Sequence, residues 1–305
     1  MATRTFTQTA VLGLYTETPL HCGAESAIGY VDLPIQRERH TAYPVIPGST
    51  IKGVLKDEMS DLGPEKMRHY FGESDQGKGT TSPGQVSFGD GIIVAFPVRS
   101  TEGPFQWVTC PFALERALRA LGKPHKIENP EVGEAWAKVD GDILLEELLV
   151  VRKKKNDLFD QQMPLTALLD LIPSSGDFEY TRDIFLDRLL VLNDGEFQEL
   201  VETGTEVLTR IKLNALGTTD AIKLEDTERL AAARLRLGRE PTGDDLQGNM
   251  FVEEVVPPET LLLTVLRAPR NSGFADEAIP RIIRIGGDET IGRGVTRVTF
   301  VKKEG

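Results

Sequence analysis

Apolar positions along this chain change their period from segment to segment, and that change outlines the elements. Thr7–Thr16 (TQTAVLGLYT) has the β-branched and apolar content of a strand. A polar stretch over residues 17–48 follows, broken by Pro34, Pro44 and Pro47. Ile51, Val54, Leu55 and Met59 then recur at helical spacing, predicting a helix capped by Ser49 or Thr50 and running to about Leu62. Gly72–Gly84 reads as a surface loop, Val86–Ala95 as a strand and Phe105–Val108 as a short one. Pro111–Leu121 reads as a helix with Phe112, Leu114, Leu118 and Leu121 inward.

The middle is less regular. Asp142–Val151 suits a buried strand or a short helix, and Asp183–Leu192 a strand or a helix-to-strand transition. Glu206–Leu213 alternates as a strand, and Ala215–Gly248 is polar and charged, an insertion rather than core. Phe251–Val256 and Leu261–Arg267 read as strands separated by Pro257-Pro258. Ala275–Ile285 has helical periodicity, and a glycine loop leads to a last strand, Val295–Val301. Strands and helices mix without strict alternation, which predicts an α+β fold with an antiparallel sheet and long insertions. The loop Gly286–Gly294 precedes a strand, the reverse of the strand-to-helix setting that dinucleotide binding requires, and no Walker sequence is present.

Composition narrows the picture. With 40% hydrophobic and 27% charged residues in 305, the chain reads as an ordinary globular protein. No apolar run approaches the roughly 20 residues needed to cross a bilayer. The first residues lack the apolar core of a secretory signal, so a cytoplasmic protein is expected. Cys22 and Cys110 are the only cysteines, without paired spacing, so free thiols are expected and a structural zinc site is not. A net charge of −12 argues against coating nucleic acid with the whole surface. The charge is segregated, however: residues 281–303 hold Arg281, Arg284, Arg293, Arg297, Lys302 and Lys303 against Asp288 and Glu289. Residues 190–210 and 225–259 are instead rich in Asp and Glu.

Candidate chemistry gathers in GYVDLPIQRERHTAYPVIPGSTIKG, residues 29–53, where Asp32 stands near Arg37, Arg39 and His40 and a helix opens with Pro-Gly-Ser-Thr. A polar loop delivered to a helix start is suited to an anion, here a phosphodiester. Asp32 either binds a metal or orients a group of the phosphodiester, or caps its own loop as an Asx-turn before Pro34. His21 is either a proton donor or a residue that orders the loop. Arg37, Arg39 and His40 either contact RNA backbone or pair with Glu38 and neighbouring acids. Ser49, Thr50 and Lys52 hold phosphate, cap the helix, or do both. Gly286, Gly287, Arg293 and Gly294 permit close approach to RNA, or simply form a turn. Glu253 and Glu254 are candidate metal ligands or strand-edge residues, and Lys153–Lys155 a solvated loop.

The pieces GLYTETPLHCG, residues 29–53, FVEEVVPPETLL and RIGGDETIGRGVTRV resemble the RAMP superfamily, and more narrowly the backbone subunit of the type III-B CRISPR effector, the Cmr complex. The resemblance implies a ferredoxin-like or RRM-like palm with a protruding thumb hairpin, placed within Ala215–Asn249, in a single domain. It implies stacking of copies, head to tail, along a crRNA guide with other Cmr subunits. It also implies endonucleolytic cutting of target RNA at Asp32 with Mg2+ or Mn2+, recurring wherever a thumb displaces a nucleotide. Cys22 departs from the proline common among relatives. A non-catalytic structural RNA-binding subunit is the alternative. A guide-processing endonuclease using general acid–base chemistry has little support from four scattered histidines.

Overall fold

The computed structural model describes residues 8–24, 30–75, 80–160, 164–269, 272, 274 and 279–302. Thr7, Gly29, residues 76–79 of the expected loop, residues 275–278 of the expected helix and Lys303 lie outside them. The chain divides into two units, one of Met1–Cys22, Gln36–Thr205 and Val256–Gly305, the other of Gly23–Ile35 and Glu206–Val255.

The first unit is built on one large sheet. Gln8–Thr16 lies between two antiparallel partners, Leu261–Ala268 and Val295–Lys302, so the start and the end of the chain pair in one sheet as the pattern predicts. From Leu261–Ala268 the sheet continues through Gly91–Val98, Gln106–Thr109, Leu189–Leu192, Glu134–Ala137, Leu148–Lys154 and Gly141–Leu145. Pairing is antiparallel except where Gln106–Thr109 meets Leu189–Leu192 and where Glu134–Ala137 meets Leu148–Lys154. The fold is α+β, as expected. Residues 10–16 are all buried, which explains why this strand reads as a nearly continuous apolar run. Gly13 is required there: a Cβ would lie 2.1 Å from the Leu171 carbonyl oxygen, because the 3-10 segment Pro164–Leu171 lies directly over the strand.

Some expected elements are resolved between their alternatives, and others take another form. Asp142–Val151 is a hairpin of two strands turning at Glu146, whose φ is +49°. Asp183–Leu192 is the end of helix Glu179–Phe185 followed by a strand. Gly72–Asp75 and Thr80–Pro83 pair as strands rather than forming only a loop. Ile282–Arg284, expected in a helix, is the edge strand beside Val295–Lys302, so the glycine loop joins two strands. Its three residues alternate exposed, buried, exposed, the period of a strand, too short a stretch to outweigh the helical spacing of the apolar residues around it. Lys153 and Lys154 end a strand, with Lys153 3.3 Å from Glu134 and the Lys155 ammonium 4.5 Å over the Trp136 ring, so this run is not a loop.

Helix Pro111–Ala120 is capped by Cys110, whose Sγ accepts the Ala113 N–H at 3.5 Å. Leu114, Leu118 and Leu121 face the core with Trp107, Phe185 and Leu189. Phe112 does not: it stands two residues, about 200°, from Leu114 and is 41% exposed.

The second unit pairs Glu206–Lys212 with Asn249–Val255, antiparallel. The polar residues between these strands hold the helix Thr227–Leu237, which the sequence pattern left unassigned. Asp226 caps it, Gly238 ends it in the left-handed region, and Ile222, Ala233 and Leu246 form a small core. Arg229–Asp220 and Arg239–Asp245 pair across its surface. A helix buried on so narrow a face carries little apolar periodicity, which is why its composition reads as insertion.

Candidate nucleic-acid interface

In the second unit, residues 31–35 run beside the strand Asn249–Val255. The Asp32 and Leu33 N–H groups both donate to the Val252 carbonyl at 3.0 Å, and the Glu254 N–H donates to the Leu33 carbonyl at 3.0 Å. Asp32 completes this by accepting the Val252 N–H on Oδ2 at 2.8 Å. The Asx-turn alternative is thereby replaced. Such a turn needs the N–H of the residue two positions on, and Pro34 has none. Asp32 is exposed, one oxygen fixed by the strand and the other without a hydrogen bond or ion pair among the described residues.

Glu253 and Glu254 come to the same strand but serve it from within. Glu253 is 0% exposed and lies 3.1 Å from Arg210 on the paired strand, a guanidinium that also sits over the Phe251 ring. Glu254 is buried and accepts the Ile35 N–H on Oε2 at 3.0 Å. The Glu254 bond holds the segment of Asp32 on its strand, and the Glu253 pair ties the two strands of the hairpin together. Among the described residues, no three His, Cys, Asp or Glu side chains gather into a group able to hold a metal ion. Asp32 presents an open carboxylate oxygen beside this strand. Arg210 escaped sequence reasoning, since only strand pairing brings it diagonally across from Glu253, two residues beyond its direct partner Phe251.

In the first unit, His21 meets the glycine loop. It is buried, and its carbonyl accepts the Gly287 N–H at 2.9 Å. Gly286, with φ +90°, leaves no room for a side chain, since a Cβ would stand 2.1 Å from that carbonyl. Gly294 is equally close to Ile285. The His21 backbone thus orders the glycine loop whatever its imidazole does, and these glycines serve close approach of chain to chain. Arg293 is largely buried, 3.8 Å from Asp288, which makes it an internal tie of the loop.

Arg37 is also an internal tie. Its guanidinium donates to the carbonyls of Ala42 at 2.7 Å and Val201 at 3.0 Å, the latter in the last turn of helix Asp194–Thr203, where a cation meets the negative end of the helix. Arg39 and His40 are exposed. Glu38 is bound by both Arg116 nitrogens at 2.8 and 2.6 Å and by the Thr41 hydroxyl at 2.7 Å. Burial by itself would raise the Glu38 carboxyl, but the bonds from Arg116 and Thr41 win and hold it below the usual range.

A pH prediction follows from that lowered value. The pair's contribution is complete above the unfolded carboxyl pKa of about 4.5 and disappears as pH falls through the lower folded value. Arg116→Met should cost about 1–3 kcal/mol at pH 7, with the difference from wild type shrinking below about pH 4. Denaturant unfolding at both pH values checks this; a difference independent of pH would remove Glu38 as the cause.

Helix Gly48–Glu58 starts one residue before Ser49, at a Pro47 N-cap, and neither Ser49 nor Thr50 caps it. The carboxylate of Asp90 accepts the Gly48 N–H at 2.7 Å and occupies part of the anion position foreseen for phosphate. The Thr50 hydroxyl bonds the Cys22 thiol, whose pKa burial raises. Ser49 is exposed and Lys52 half-buried on the first turns.

A sequence profile described as the RAMP superfamily matches residues 14–297. The chain belongs to the RAMP superfamily. Among relatives, this RAMP chain is 32% identical to the CRISPR system Cmr endoribonuclease Cmr4 of Pyrococcus furiosus, over 95% of each chain. It is similar to the crystal structure of oligomeric Cmr4 from that organism, with 27% identity, TM-score 0.64 and coverage of 98% and 99% of the two chains. It shares its fold with a chain in the cryo-EM structure of type III-B Cmr-beta bound to cognate target RNA, at 20% identity and TM-score 0.67, covering 97% and 98%. The RAMP palm expected from the sequence is therefore present. No helix among the described residues is long and apolar enough to cross a membrane.

Proposed function

We propose that this chain is a guide-RNA-binding backbone subunit of a type III-B CRISPR effector, stacking head to tail along crRNA with other Cmr subunits and cutting complementary target RNA beside Asp32. The observation that carries the reading is Asp32 itself, an exposed carboxylate whose backbone and Oδ2 are both fixed to Val252. Homology to an endoribonuclease over 95% of the chain, and an oligomeric relative, support it.

The chemistry suited to one fixed carboxylate is attack of a ribose 2′-hydroxyl on its neighbouring phosphate. The O2′–P bond forms and the P–O5′ bond breaks, leaving a 2′,3′-cyclic phosphate and a 5′-hydroxyl. The 2′ proton passes to solvent as the oxygen attacks, and the departing O5′ takes one from solvent, so the proton count closes. Asp32 orients the 2′-hydroxyl and accepts its hydrogen bond, and a nucleotide displaced from a duplex has the freedom to adopt the in-line geometry. Glu253 and Glu254 take no part. Mg2+ or Mn2+ arriving here would come with RNA phosphates and water, with Asp32 as its protein ligand.

Lys52 is assigned to guide phosphate. Lys52→Ala should weaken RNA binding and lower the salt slope of log K by about one unit. A slope equal to that of wild type would take Lys52 off the RNA face.

Target cleavage by the reconstituted guide complex tests the whole reading. A regularly spaced ladder of products that depends on Asp32 is expected. Tight target binding without a ladder from wild type would make this a structural RNA-binding subunit and move catalysis elsewhere.

A further inference from the structure

Phe112 is an exposed aromatic ring on the outer face of helix Pro111–Ala120, and its surroundings brace it. The Arg116 guanidinium lies 5.3 Å over the ring, and Tyr43 meets it edge-on at 6.3 Å. Arg116 is itself fixed by the two bonds to Glu38, and Tyr43 packs edge-on against Phe197 at 5.0 Å. The ring is braced at an angle that leaves it 41% exposed.

The segment that carries Glu38, and through it braces Arg116 over the ring, also carries bases, in a chain that is strongly acidic overall. Arg116 cancels the charge of Glu38, while Arg39 is exposed and makes no hydrogen bond or ion pair among the described residues. His40 has a side chain 69% exposed, with its ring 3.9 Å from Glu38. Asp194, whose carboxylate accepts the Phe112 N–H at 3.0 Å, is the acid nearest the ring's backbone. A rigid aromatic face, a cation stacked on it and further exposed bases together are what an unpaired nucleobase and its flanking phosphates require.

We propose that Phe112, braced by Arg116 and Tyr43, is a stacking platform for an unpaired base of the bound RNA, with Arg39 and His40 on the adjoining phosphates. The assignment rests on the RNA-binding reading above and adds to it a base contact that is indifferent to sequence, since every base offers a π-face. The platform is distinct from Asp32 and takes no part in bond breaking.

Photocrosslinking tests it. The reconstituted complex is formed with guide and target RNAs carrying 5-iodouridine, irradiated and mapped by mass spectrometry. The expected result is a crosslinked peptide containing Phe112, retained in Phe112→Trp and reduced at least about tenfold in Phe112→Leu. Phe112→Leu should also weaken RNA binding about fivefold or more. Because leucine preserves apolar volume, an unchanged melting transition shows that the variant folds. Crosslinks elsewhere in the chain with none at Phe112, or unchanged RNA affinity in Phe112→Leu, would overturn this assignment and leave the RNA-binding reading standing. Failure of the chain to crosslink at any position would overturn both.

Discussion

Asp32→Ala is expected to remove target cutting from the reconstituted guide complex by at least about a hundredfold, with guide and target binding unchanged. Asp32→Asn is the sharper variant. Its amide oxygen can still accept the Val252 N–H that Asp32 receives at 2.8 Å, and the backbone bonds to Val252 do not depend on the side chain. The loop therefore keeps its fixings and loses only the charge. Loss of the product ladder in both variants, with normal assembly by native gel, assigns the charge to the cutting step. Retained cutting in the asparagine variant would mean that the residue merely holds the loop. Failed assembly in the alanine variant alone would carry the same meaning.

Arg210→Ala should be the most damaging change in the second unit. It removes the guanidinium facing a carboxylate that is 0% exposed, and loss of one partner of a buried pair costs about 2–4 kcal/mol where the other charge stays in the interior. The damage should reach Asp32, because Val252 precedes Glu253 on the strand and Leu33 bridges to Glu253. Hydrogen exchange at the Val252 and Glu254 amides should accelerate, and cleavage should fall with it. Replacing both partners, as Arg210→Met with Glu253→Leu, should recover most of the stability and of the cleavage, since an apolar pair of similar volume needs no desolvation. If the double variant regains stability but not cutting, Glu253 contributes to the chemistry and its structural assignment falls.

These two changes differ in how far the sequence revealed them. Asp32 stands out because a carboxylate just ahead of a proline and a run of bases, in a loop this polar, has no place in a core. Arg210 lies in a strand that alternates unremarkably, and its role depends on Glu253 lying across the hairpin. For Arg37 and Arg293 charge alone left RNA contact and internal pairing open, and the structure shows internal partners: carbonyls at a helix end for Arg37, Asp288 for Arg293. Ser49 and Thr50 had the right chemistry for a cap, but the helix begins one residue earlier and Asp90 binds its first N–H. Phe112 was counted inward by its apolar character, although its angular position on the helix places it outside.

The sequence by itself determined the α+β class, the pairing of the chain's ends in one sheet, the family and the exposed aspartate. These are carried by local composition, periodicity and contiguous motifs, in which the information lies within a few residues of where it acts. Only the tertiary structure decided which charges remain available to a ligand. A guanidinium or carboxylate looks the same in sequence whether it faces solvent or a partner 164 positions away, as Arg37 faces Val201. Long-range pairing sets that choice, because a buried charge must find its counterpart wherever the fold brings one.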